Sequence, residues 1–147
     1  MKGVKRMKIS KVSWCKEHLL IITWDDGTEL AVDLQNDIME SPSLQNLLKV
    51  KTFKTVHVDE YGWALNWDGD ISLGSDTLLC RALEQAGELT SWETFDKWRK
   101  EMSLSLSETA RTLGISRRMV AYYSNREQAI PKMVGLAIEG LRSRVAG

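Results

Sequence analysis

Two short helical segments separated by only three residues constrain the C-terminal part of this chain more than any other feature. Ser105 and Glu108 are spaced as a capping box, which predicts that a helix begins there. Gly114 ends that helix, and Ser116 caps a further helix that extends to about Ser124. A link this short prevents antiparallel packing, so the two helices are predicted to cross steeply, as in a helix-turn-helix.

The side chains around the link are those that such a crossing requires. Ala110 is small enough to allow close approach of the second helix, and Gly114 can adopt the positive φ of a sharp turn. Ile115, Val120 and Tyr123 are predicted to point inward and to fix the angle between the helices.

Two further helices are predicted to flank this pair. Residues 90–93 have the Thr-x-x-Glu form of a capping box, with Thr90 as the cap. The helix that follows has an apolar face formed by Trp92, Phe95, Trp98 and Met102. After a loop over residues 125–130, Pro131 is predicted to start the last helix. Its apolar residues are Val134, Leu136, Ala137, Ile138 and Leu141.

The N-terminal part shows the period of two that is typical of strands. Residues 20–24 and 30–34 alternate on either side of the turn Asp25-Asp26-Gly27, which predicts a hairpin. Residues 63–67 alternate again before the turn at residues 68–70, and residues 52–58 have strand character through Val56 and Val58.

Helices are predicted at two places in this part. Ser41 can cap a short helix in which Pro42 is the first residue, and Ser75 can cap a longer helix that stops at Gly87. No strand is expected beyond Gly87. We therefore predict an α+β chain with a small antiparallel-sheet domain at residues 1–87 and an all-α domain at residues 88–147.

The charge of the chain is unevenly distributed. The whole chain has 20 basic and 20 acidic residues, but residues 1–85 carry 10 Lys+Arg against 13 Asp+Glu, a net of −3. Residues 86–147 carry 10 against 7, a net of +3, and seven of these ten are Arg. Arg is the side chain best suited to bidentate contacts with phosphates and guanine.

Cysteine usage and hydropathy indicate a cytoplasmic protein. Cys15 and Cys80 are too few for a disulfide framework and are expected to be buried thiols. No signal peptide or membrane-length apolar run is present, and Leu19–Ile22 is the longest apolar stretch. His18 and His57 lack the spacing of metal ligands, so neither a metal site nor a cofactor is predicted.

The spacing of Ala110, Gly114 and Val120, with the sequence of residues 106–131, resembles the helix-turn-helix of the lambda repressor and Cro superfamily. This resemblance implies that the second helix lies in the major groove of double-stranded DNA. Ser107 stands where the family commonly has Gln, and Tyr123 stands where Trp is frequent.

The resemblance also implies DNA-contacting residues. Arg117 and Arg118 lie first on the second helix and are expected to read base edges. Ala121 and Tyr122, one turn later, are expected to touch thymine methyl groups or the sugar edge. Candidates for phosphate contacts are Ser107, Ser116, Asn125 and Arg126. A single such motif buries little surface, so a homodimer that reads a palindrome is expected, through Leu136, Leu141 or the N-terminal domain.

Residues 8–83 resemble a small bacterial α+β family, domain of unknown function 2442 (DUF2442). The resemblance rests on the hairpin at Trp24–Leu34, the segment from Phe53 to Asp59, and residues 65–78. Some members are joined to a helix-turn-helix, which implies an antitoxin-like or autoregulatory role.

Three function classes remain open. The first is a sequence-specific DNA-binding regulator whose N-terminal domain dimerises or binds a protein partner. The second is a protein-interaction module, for instance one that neutralises a toxin, in which the helices are only structural. The third is an enzyme, which we do not expect, because most Asp residues lie in turn contexts where Asp is favoured for local backbone bonding.

Overall fold

The structure, a computed structural model, describes residues 6–146, and the side chains of residues 6–144. One compact unit comprises residues 6–82, and residues 83–146 belong to another. The division falls within a helix that ends at Gln85, and the predicted boundary after Gly87 lies just beyond that helix. Antiparallel sheets and helices together make the chain α+β, as predicted.

The first unit begins with an antiparallel sheet in the order β1-β2-β3. Its strands are β1 (Ile9–Lys16), β2 (Leu19–Trp24) and β3 (Glu29–Asp33). The predicted hairpin is confirmed: Leu20 lies opposite Val32, and both are fully buried. Gly27 has a φ of 91° in the turn, a conformation open to glycine but costly for most residues.

Three short helical segments connect the two sheets of this unit. They are α1 (Gln35–Glu40), a 3₁₀ helix at Pro42–Leu48 and α2 (Val50–Phe53). Ser41 occupies the N-cap position of the 3₁₀ helix and Pro42 is its first residue, as predicted. The Ser41 side chain does not cap the helix, since its Oγ lies 3.0 Å from Ser43 Oγ and bonds no backbone N–H among the described residues.

Strand character over residues 52–58 is confirmed only for β4 (His57–Val58). Thr52 and Phe53 end α2, and Lys54 and Thr55 form a turn. The Phe53 ring packs on the His18 and Trp67 rings, at centroid distances of 5.0 and 5.9 Å. Packing of this one side chain outweighs the β propensity of its neighbours.

The second sheet has the order β4-β5-β6, with β5 (Ala64–Trp67) and β6 (Ile71–Gly74) joined by the predicted turn. Leu65 and Trp67 are buried, which confirms the alternation of this segment. Helix α3 (Ser75–Gln85) follows, but Ser75 is its first residue rather than its cap. The Ser75 hydroxyl is buried and finds no hydrogen-bond partner among the described residues.

The second unit is mainly helical. Its helices after α3 are α4 (Trp92–Glu101), α5 (Leu106–Leu113), α6 (Arg117–Ser124) and α7 (Lys132–Ala146). Phe95, Trp98 and Ile138 are fully buried between them, whereas Met102, predicted on the apolar face, is 37% exposed. Met102 follows the last residue of α4, where the helix no longer directs side chains inward.

The prediction of an all-α second domain is wrong in one detail. Strand β7 (Leu89–Thr90) pairs antiparallel with β8 (Ile130–Pro131). Thr90 therefore does not cap α4: its Oγ1 donates to Pro131 O at 3.0 Å and accepts from Gly135 N at 3.0 Å. Ser91 is the cap instead, accepting from Thr94 N, and α7 begins one residue after Pro131.

The two cysteines differ in environment. Cys80 is buried as expected, but Cys15 is exposed, because it lies on the outward face of β1. Across residues 6–146, none of the helices has the length and apolar character needed to cross a bilayer.

Candidate nucleic-acid interface

Helices α5 and α6 are eight residues each and are joined by Gly114, Ile115 and Ser116. The capping box of α5 is present: Ser105 Oγ accepts from Glu108 N at 3.1 Å, and Glu108 Oε1 accepts from Ser105 N at 3.2 Å. Gly114 has a φ of 72°, and the N–H of Ile115 bonds to Ala110 O at 3.0 Å. The turn is therefore fixed by backbone hydrogen bonds and by a left-handed glycine.

The inward face of this pair is tightly packed. Val120 is fully buried and Tyr123 is 4% exposed, as predicted, while Ile115 is half-buried. The Tyr123 ring meets the Phe95 ring of α4 edge-on at a centroid distance of 5.6 Å. Burial raises the pKa of the Tyr123 hydroxyl, so this group stays neutral in the core.

Arg99 of α4 holds both helices of the pair and was missed by the sequence analysis. Its Nε donates to Thr109 Oγ1 of α5 at 3.1 Å, and its Nη1 donates to Ser124 Oγ of α6 at 2.6 Å. Thr109 is completely buried. The available signal was the position of Arg99 one turn after Phe95, on the apolar face of α4.

The outward face of α6 carries the predicted base-reading residues. Arg117 and Arg118 are both exposed in its first turn. Residues one turn apart align Arg117 with Ala121 and Arg118 with Tyr122, and these later two are half-buried. All four lie away from the buried face of the helix, so together they form a continuous outer surface.

Arg118 and Tyr122 are in direct contact. Arg118 Nε donates to the Tyr122 hydroxyl at 2.7 Å, and Arg118 Cζ lies 5.4 Å from the centroid of the ring. For Arg117 the structure shows no comparable hydrogen bond or ring contact with the described residues.

The predicted phosphate-contacting residues are in varied environments. Ser107 and Asn125 are exposed at the start of α5 and directly after α6. Ser116 Oγ accepts from Met119 N at 3.1 Å, so it is already engaged as the cap of α6. Arg126 adopts a φ of 58° and pairs with Glu93 at 3.6 Å, with its Cζ 5.7 Å from the Trp92 ring centroid.

The charge around the helix pair is positive. Between residues 105 and 127 the exposed charged residues are four arginines and two glutamates. The hydrogen bonds from Ser105 lower the pKa of Glu108 and keep that carboxylate ionised at the start of α5. Unpaired N–H groups in the first turn of α6 add partial positive charge next to Arg117 and Arg118.

Two aspartates of the first unit support its turns. Asp26 Oδ1 accepts from Thr28 N, and Asp59 Oδ1 accepts from the N–H groups of Tyr61 and Trp63. His18 is buried and bonds to Leu47 O at 2.9 Å. Among the residues the structure describes, no group of three or more His, Cys, Asp or Glu side chains is arranged to hold a metal ion.

These features define a two-unit α+β chain with a packed helix pair, α5 and α6, in which the outward face of α6 carries exposed arginines. The family model described as a protein of unknown function, DUF2442, matches residues 9–83, and the chain belongs to that family.

One solved structure extends the similarity beyond this segment. It is the crystal structure of a protein from Nitrosomonas europaea described as "Putative DNA Binding Protein NE0471", which is 34% identical to this chain. The similarity covers 97% of this chain and 90% of that one, with a TM-score of 0.56. None of the curated protein sequences matches this chain.

Proposed function

We propose that this chain binds double-stranded DNA sequence-specifically through a helix-turn-helix of the lambda repressor and Cro type, formed by α5 and α6. The observation that carries the proposal is the pair of exposed arginines in the first turn of α6, on a helix whose opposite face is fixed by buried Val120 and Tyr123. An isolated surface helix would need neither the partly buried hydrogen bonds from Arg99 to Thr109 and Ser124 nor the left-handed turn at Gly114.

The proposed binding mode follows from the dimensions of the major groove, which admits one α-helix. With α6 in the groove, its N-terminal residues would lie nearest the base edges. A bidentate contact from Arg to guanine O6 and N7 discriminates by about 1–3 kcal/mol against other bases. Ala121 would then be close enough to contact a thymine methyl group.

Phosphate contacts would set the register of the helix on the duplex. The side chains of Ser107 and Asn125 are exposed and show no hydrogen bond to the residues that the structure describes. Arg126 would exchange part of its contact with Glu93 for a phosphate. The ion pair is about half exposed on both sides, and exposed pairs contribute little, so this exchange costs little.

Two further observations support the proposal. The solved structure from Nitrosomonas europaea carries a DNA-binding description and is similar over nearly the whole chain. The excess of arginine in the second unit, despite a chain with no net charge, provides an electrostatic footprint for a polyanion.

We infer a role in transcription regulation, autoregulatory or antitoxin-like, with no catalytic activity. A protein-interaction role without DNA is the alternative, and salt separates the two. Counterion release makes DNA affinity fall steeply between about 50 and 200 mM salt, whereas an apolar protein interface responds weakly.

The test is a selection of bound genomic fragments, followed by affinity measurements on the selected operator and on unrelated duplex DNA. Arg117→Ala and Arg118→Ala are expected to reduce the preference for the operator by roughly 5- to 150-fold. Arg126→Ala is expected to weaken binding to both DNAs about equally.

Arg144→Ala is the matched control, because it removes an exposed arginine from α7 and should leave the operator preference unchanged. If Arg117→Ala and Arg118→Ala both retain the wild-type preference, α6 is not the reading element.

A further inference from the structure

The contact between Arg118 and Tyr122 distinguishes the two arginines of α6. The two residues are separated by four positions, so they lie one above the other on the helix surface. Tyr122 is half-buried and its ring is placed by two rotatable bonds, whereas Arg118 is exposed and has four. A hydrogen bond to the less flexible side chain therefore limits the orientations of the guanidinium.

The hydrogen bond leaves the reading edge of Arg118 free. A guanidinium has five N–H donors in one plane, and only the Nε donor is directed at Tyr122. The terminal Nη1 and Nη2 groups can still donate in parallel, which is the arrangement that matches guanine O6 and N7. Tyr122 thus occupies the one donor that an end-on guanine contact does not require.

The contact with the Tyr122 ring leaves the positive charge of Arg118 unchanged and further restricts the orientation of its guanidinium. At 5.4 Å from the ring centroid, Arg118 Cζ is within the range in which a cation is attracted to the aromatic face. An arginine that is ordered before binding loses less conformational freedom on contact with DNA.

We propose, on the basis of the DNA-binding function above, that Arg118 reads a guanine and that Tyr122 is the positioning residue that orients it. Tyr122 then contributes to specificity without contacting a base itself. Arg117, which has no such support among the described residues, makes the less selective of the two base contacts.

The experiment is a scan in which every base pair of the selected operator is substituted in turn. Binding is measured for wild-type full-length protein, Arg118→Ala, Tyr122→Phe and the double variant. Arg118→Ala should abolish the preference for guanine at one base pair. Tyr122→Phe keeps the ring but removes the hydroxyl, so it should reduce the preference at that same base pair by roughly 2- to 10-fold.

The double variant should discriminate no worse than Arg118→Ala alone, because the role assigned to the hydroxyl requires the arginine. Tyr122→Phe should weaken binding to the operator more than binding to unrelated duplex DNA, because the oriented contact is base-specific. Tyr61→Phe, which removes the hydroxyl of an exposed tyrosine in the first unit, is the matched control and should scan as wild type.

Two results overturn the inference while leaving the proposed function intact. The first is that the base preferences of Tyr122→Phe are identical to those of the wild type at every base pair. The second is that Tyr122→Phe loses base preference at a base pair where Arg118→Ala does not. If the wild-type protein binds no duplex DNA at any salt concentration, the proposed function fails and this inference fails with it.

Discussion

Gly135 occupies the point where α7 passes closest to β7. A Cβ atom at this position would overlap Thr90 Oγ1, the hydroxyl that accepts a hydrogen bond from the Gly135 N–H. Gly140 lies in the same helix, but a Cβ there would meet nothing within 4 Å. The same residue type therefore has opposite roles at two positions of one helix.

Gly135→Ala is expected to destabilise the protein by roughly 1–3 kcal/mol, because the added methyl group displaces Thr90 and disrupts its hydrogen bonds. Gly140→Ala is expected to raise stability by up to about 1 kcal/mol through better helix propensity. Urea unfolding of both variants measures the contrast. Equal stability of Gly135→Ala and wild type would show that α7 can move away from β7 freely.

Arg99 shows where residue-level prediction from sequence ends. Its donors reach Thr109 and Ser124, which are 10 and 25 positions away along the chain. The apolar face of α4 indicates that Arg99 points inward, but no local pattern identifies its partners. In contrast, the exposure of Arg117 and Arg118 follows from the period of α6 alone.

At the scale of elements, the local capping signals of α5 and α6 were reliable, whereas Ser75 and Thr90 do not act as the predicted caps. Ser105, Gly114 and Ser116 end or begin helices as predicted because each acts on groups within a few residues. The long alternating strands β2 and β5 were predictable for the same reason. Strands β7 and β8 were not, because two residues carry no periodicity and their pairing joins Leu89 to Pro131 and Thr90 to Ile130, far apart along the chain.

The capping box of α5 makes a pH-dependent contribution to stability. Since folding lowers the pKa of Glu108 from its ordinary 4.5, the contribution is present above that pH. It is lost as the pH falls through the lowered pKa, when the carboxylate is protonated. Glu108→Gln keeps a hydrogen-bonding side chain without the charge, so its thermal midpoint should lie below that of wild type at pH 7 and approach it as the pH falls through the lowered pKa.

Ser105→Ala provides the control for this element, because it removes the Ser105 hydroxyl, which contributes most to the lowered pKa, and keeps the backbone N–H that donates to Glu108. In that background the Glu108→Gln substitution should have a smaller effect at pH 7. A constant difference between Glu108→Gln and wild type from pH 7 to pH 3 would contradict the assignment.

For the whole molecule, exposed apolar side chains indicate where copies of the chain can associate. Met133 and Leu136 in the first turns of α7 are 78% and 55% exposed. Leu141, the other predicted contact on this helix, is half-buried. Burial of such residues against a second copy would bring two α6 helices to one duplex, as the proposed palindrome requires.

We therefore expect a dimer in sedimentation equilibrium and an operator with half-sites about 10 base pairs apart. Leu136→Lys should shift the protein towards monomer. In a nuclease footprint at the same protein concentration, it should protect one half-site of the operator instead of two. Met39→Lys, at a 62% exposed position of the first unit, is the matched control. Dissociation by Met39→Lys but not by Leu136→Lys would assign dimerisation to the first unit.

The pairing of β7 with β8 also bears on how such a protein diversifies. The chain enters the three helices α4, α5 and α6 at Thr90 and leaves them at Ile130, and these two residues are direct neighbours in the ladder. The segment between them is thus an insertion whose two ends lie next to each other. A different segment with similarly spaced ends can replace it, by recombination or by engineering, while the two anchoring strands are retained.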